Sequence, residues 1–83
     1  MYKVNHRAEN YLGWYGVLAI LTAYLLVSFN LIQASSLVYQ LLNLTGAGGI
    51  IVEALSKKDV QPAVLNAIWA LIALLAIVSL LIK

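Results

Sequence analysis

Residues 10–52, NYLGWYGVLAILTAYLLVSFNLIQASSLVYQLLNLTGAGGIIV, contain no aspartate, glutamate, lysine or arginine. A water-soluble domain needs charged and polar side chains spread over its surface and does not leave so long a run bare. A hydrocarbon core of about 30 Å is crossed by roughly 20 apolar residues in a helix. The 43 uncharged residues between Glu9 and Glu53 are about twice too many for one crossing and fit two. Working outward, the formal charges fall into three groups: Lys3, Arg7 and Glu9; Glu53, Lys57, Lys58 and Asp59; and Lys83. The 23 residues between Asp59 and Lys83 provide a third crossing.

The whole composition agrees with that reading, since 64% of the 83 residues are hydrophobic and only 10% are charged. The expected fold is all-α: one integral membrane domain, residues 1–83, built as a three-helix bundle. An N-terminal tail, 1–10, precedes helices at about 11–29, 36–55 and 62–82. Asn10 is a candidate N-cap of the first helix, and Trp14 and Tyr15 suit the aromatic belt at the headgroups. Lys3 and Arg7 ahead of an apolar run imitate a signal peptide, but the run is too long and lacks a small-residue cleavage site, so it reads as the first span. Ser28, Asn30, Gln33, Ser35 and Ser36 interrupt the apolar pattern as a first loop. Gly46, Gly48 and Gly49 would weaken a helix in water, but in a membrane they let another backbone come close. Residues 56–61 form the second loop, and Pro62 suits a first helical turn, where its missing N–H would be unpaired anyway.

With three crossings, the N-terminus and the second loop share one side. That side holds Lys3, Arg7, Lys57 and Lys58, against Lys83 alone on the other. The positive-inside rule then predicts a multi-pass protein of the cell inner membrane with a cytoplasmic N-terminus. The absence of cysteine removes disulfides and thiolate metal sites. A formal net charge of +2 gives no nucleic-acid footprint. His6 has no second ligand candidate near it, and no nucleophile–base set or phosphate loop appears. The chain is therefore read as a non-enzyme with no cofactor and no metal.

Polar side chains within spans cost free energy and ask for a partner or a function. In the second helix Ser36, Tyr39, Gln40, Asn43 and Ala47 recur on one face. In the third, Asn66 precedes Trp69 and Ala70 by three and four residues, and Ala63, Ala67, Ala70, Ala73 and Ala76 make a strip of small side chains. In the first, Gly13, Gly16, Ala19 and Ala23 do the same. One reading is helix packing, with small residues letting helices touch and carboxamides bonding across the contact for about 1 kcal/mol each. The other is a cavity: Asn66, Trp69, Asn43, Gln40 and Tyr39 would bind a small neutral or zwitterionic polar solute. Glu53 stands four residues before Lys57 and reads first as an i, i+4 ion pair at the membrane surface, with a proton-coupled carboxylate as the alternative.

The order of features resembles the SemiSWEET and PQ-loop (MtN3-like) group of three-helix transporters. The likeness rests on the charged loop with Asp59 and Pro62, the helix carrying Asn66, and the segment Tyr39-Gln40-Leu41-Leu42-Asn43 followed by Asn66 and Trp69. It extends to small bacterial permease-like membrane proteins. The resemblance implies a parallel homodimer around a central solute path, with Asn66 in the place of the family's solute-binding asparagine. The expected function is a homodimeric transporter moving a small polar solute by alternating access. The alternative is a non-catalytic accessory subunit of a larger membrane complex. The lipid bilayer is a partner under both.

Overall fold

The computed structural model describes residues 7–83; Lys3 and His6 lie outside them. Three helices follow one another, α1 (Arg7–Ser28), α2 (Leu37–Ser56) and α3 (Val60–Leu81), and each is long and apolar enough to cross a membrane. The outer surfaces carry bare Leu18, Leu21 and Leu25 on α1 and Ile68, Leu71 and Leu75 on α3. Hydrocarbon accepts such faces, because the helical backbone satisfies its own hydrogen bonds internally.

The first helix begins earlier than the expected tail allows. Asn10 is inside α1 and does not cap it. No glycine or proline stops the helix before Arg7, and Glu9 in its first turn interacts favourably with the N–H end of the helix dipole. At the start of α2, by contrast, Ser36 is a true cap, its Oγ accepting from the Tyr39 N–H at 3.2 Å.

The first two helices end alike. Asn30 and Lys58 have φ of 61° and 57°. Around Asn30, the Leu31 N–H donates to Leu26 O at 2.8 Å and the Asn30 N–H to Val27 O at 3.0 Å. Around Lys58, the Asp59 N–H donates to Ala54 O at 2.8 Å and the Lys58 N–H to Leu55 O at 3.0 Å. This pair of bonds closes a helix C-terminus through one left-handed residue. It leaves only Lys57–Asp59 to join α2 to α3, so α3 starts at Val60 and takes in Gln61. Pro62 still falls in the first turn, where its missing N–H costs nothing. Asparagine tolerates the left-handed region better than lysine does. Lys58→Gly is therefore expected to stabilise the hairpin by about 1 kcal/mol, read as a shift in the midpoint of unfolding in mixed micelles.

The second helix is central. It packs against both α1 and α3, which do not touch each other. The three helices are arranged openly around α2, and the sequence of α2 explains it. Gly46, Gly49 and Glu53 meet α1, while Asn43, Ala47 and Ala54 are buried on the other flank. At 3.6 residues per turn these two faces lie roughly 120° apart around α2. The flanking helices therefore splay into a V, with Tyr39, Ile50 and Asn43 on its inner side. On the α1 side the buried residues are Gly13, Gly16, Ala19 and Ala23. On α3 they are Ala63, Asn66, Ala73 and Ile77; Ala67 from the expected small-residue strip turns outward.

Candidate functional site

Residues 39, 40 and 43 come to one side of α2 because their spacing matches one helical turn. The antiparallel α3, held close by the three-residue loop, brings Trp69, Ile72 and Ala73 opposite them. Together these six residues line an open groove of about 290 Å³. Its fixed point is a hydrogen bond between helices: the Trp69 Nε1–H donates to Asn43 Oδ1 at 3.0 Å. The Asn43 amide in turn donates from Nδ2 to Tyr39 O at 2.9 Å. Asn43 is only 3% exposed, and each side of its carboxamide has a partner, as a buried amide requires. The bond lies well inside the span, where low polarity strengthens it and makes an unpaired group expensive.

Gln40 marks the other end of the groove. Its Nε2 donates to Ala34 O at 3.0 Å, tying α2 to the first loop. Gln40 also lines a second hollow of about 170 Å³ with Ser35, Ala76, Ser79, Leu80 and Lys83. Gln40 is thus shared by two hollows, an inner part at Asn43 and an outer one at the end of α3, both lined more by apolar than by polar surface. No formal charge lines the inner part, so it offers hydrogen bonds and an aromatic face, which suit an uncharged or zwitterionic polar molecule. The reading from sequence missed Ser79, although it stands seven residues after Ile72, on the same side of the helix.

Four of the five expected solute residues, Tyr39, Gln40, Asn43 and Trp69, meet in the groove. Asn66 is not among its lining. It is buried between α2 and α3, its Nδ2 donating to Pro62 O at 2.9 Å. The antiparallel register sets it about one turn nearer the second loop than Trp69, level with Ala47. Glu53 makes the expected pair, with the Lys57 Nζ at 2.9 Å from its Oε2. Among the described residues no three His, Cys, Asp or Glu side chains come together as a metal site.

Fold and groove together define the class: a small all-helical membrane protein of three helices with a groove between the second and third. The chain belongs to an uncharacterised protein family, which it matches over residues 10–83. No curated protein and no solved structure matches it.

Proposed function

We propose that the protein is a SemiSWEET-like transporter of the inner membrane, with its N-terminus in the cytoplasm. It works as a homodimer and moves a small neutral or zwitterionic solute by alternating access. The observation that carries this reading is the Trp69–Asn43 hydrogen bond inside the span, at the base of an open, uncharged groove. Tyr39 and Gln40 stand in the first turn of α2, so the groove leads from the membrane surface down to this pair. A second V laid against the inner side of the first would cover both grooves and enclose a path among six helices. In this proposal Tyr39, Gln40, Asn43 and Trp69 bind the solute, and Asn66 supports them from the adjoining turn.

A second reading, the accessory subunit, draws on another observation. The amide donors of Asn43 and Asn66 both end on carbonyls of their own helices, as they would if their task were packing.

Purified protein in proteoliposomes, given radiolabelled glycine, alanine and glucose in turn, separates the two. A transporter accumulates at least one of them as a dimer, and Asn66→Ala lowers that flux while fold and dimer persist. A packing role predicts weaker dimers or a lower unfolding midpoint, with flux intact in the molecules that remain folded. A monomer with no flux of any of the three would sink the proposal.

A further inference from the structure

A second cleft, of about 340 Å³, opens between the start of α1 and the end of α2, lined by Asn10, Gly13, Trp14, Val17, Glu53 and Lys57. It lies at the charged end of the molecule, beside the loop that carries Lys57, Lys58 and Asp59. Trp14, 64% exposed, suits the headgroup layer, and Val17, one turn deeper, suits the acyl boundary. The Glu53 carboxylate lies against Gly13, where a Cβ would collide with it. Glycine at this position makes the room in which the carboxylate sits.

The polar groups here are unbalanced. Among the described residues Glu53 has one cation, Lys57, whose side chain is 50% exposed. Glu9 precedes Gly13 by four residues and so shares its face of α1. Glu9 Oε1 and Asn10 Oδ1 are both shut from solvent, with no hydrogen-bond partner among the described residues. Two buried acceptors therefore lack a donor among the described residues, and such groups are costly while unpaired. A ligand that suits them brings N–H donors and positive charge. The outer side of the Lys57 ammonium offers a place for an anion a few ångströms away.

We propose that this cleft binds the headgroup of a phospholipid bearing a primary amine, with its ammonium on the carboxylate and amide oxygens and its phosphate on Lys57. A primary ammonium has three N–H donors and a quaternary one has none, so the cleft distinguishes ethanolamine from choline headgroups. The lining runs on from Glu53 and Lys57 to Trp14 and Val17, which gives the acyl chains an apolar exit and favours a lipid over a free solute. The site is separate from the α2–α3 groove and does not depend on the transport reading.

The test is native mass spectrometry of the delipidated full chain in detergent. It is given equimolar phosphatidylethanolamine and phosphatidylcholine with identical acyl chains. The ethanolamine lipid is expected to be retained about tenfold better, the size of one hydrogen bond to a charged group. Glu53→Gln should bring the ratio close to one while helicity and oligomeric state hold. Should that variant fail to fold, Lys57→Met serves instead, with weaker binding of both lipids and the preference kept. Equal retention of the two lipids by the unaltered protein overturns the proposal, as does a preference that survives Glu53→Gln. Soluble glycerophosphoethanolamine displacing the lipid at equal concentration would overturn the lipid as the ligand. Glycine, alanine and glucose flux should be unchanged in Glu53→Gln, so failure here and failure of the transport reading are separately visible.

Discussion

Gly16→Ala is expected to destabilise the protein by about 2–3 kcal/mol, whereas Gly48→Ala is expected to be neutral or stabilising by up to about 1 kcal/mol. Both substitutions add one methyl group to a glycine within a membrane helix. At Gly16 the new Cβ would run into Gly46 O and stand 2.7 Å from Ile50 Cγ1. The obstacle is partly backbone, so it cannot be relieved by turning a side chain, and the two helices must move apart. Gly49 faces the same obstacle from the other side, against Leu12 O. At Gly48 nothing lies within 4 Å of a new Cβ, and alanine's better helix propensity acts alone. Unfolding by SDS in mixed micelles would read both variants against the parent. Equal effects at the two positions would mean that α1 does not meet α2 through these glycines.

The second large effect is expected at Asn43. Asn43→Ala strands the Trp69 indole N–H in mid-span and removes a side chain from the groove. It should lower the stability of the α2–α3 pairing by about 1–2 kcal/mol, with a loss of solute flux much larger than stability alone accounts for. Trp69→Phe keeps most of the ring and deletes the donor. Combining the two variants should therefore cost about 1 kcal/mol less than the sum of the single effects, because they break one shared bond. Measured additivity would show that the bond contributes nothing between the helices. Full flux in either folded variant would remove the pair from the solute path.

How much of this could be read from the sequence depends on what kind of signal each feature leaves. Three helices follow from the spacing of charges alone, because hydrocarbon thickness sets the length of an uncharged run and Glu9, Glu53, Asp59 and Lys83 delimit those runs. Helix ends are less legible. Asn10 looks like a cap, but capping is a local preference, and a favourable first-turn charge at Glu9 carries the helix past it. The three-residue second loop depends on Lys58 adopting a left-handed conformation that its side chain does not advertise. The groove was partly legible: Tyr39, Gln40 and Asn43 share a face by helical period, while the partnership of Asn43 with Trp69 needs the antiparallel register that the loop supplies. The open V was not legible. It follows from the angle between two small-residue faces on α2, and Gly46, Ala47, Gly48 and Gly49 in succession hide which of them faces which neighbour. Gly48 turns out to face neither.

The contrast between the two helix contacts sets where the molecule can yield. Between α2 and α3, a three-residue connection and an indole–carboxamide bond lock the pair into one lever. Between α1 and α2, backbone approaches backbone at Gly16, Gly46 and Gly49, and the Ile50, Ile20 and Glu53 side chains sit over Gly16, Gly46 and Gly13. The eight residues Phe29–Ser36 leave slack between these two helices. The contact is held in register by these side chains and by the Tyr15 hydroxyl against Thr45 Oγ1 at 2.6 Å. To slide along the α2–α3 lever, α1 has to lift these side chains from their glycines and break the Tyr15–Thr45 hydrogen bond, whereas the long first loop alone would let it go.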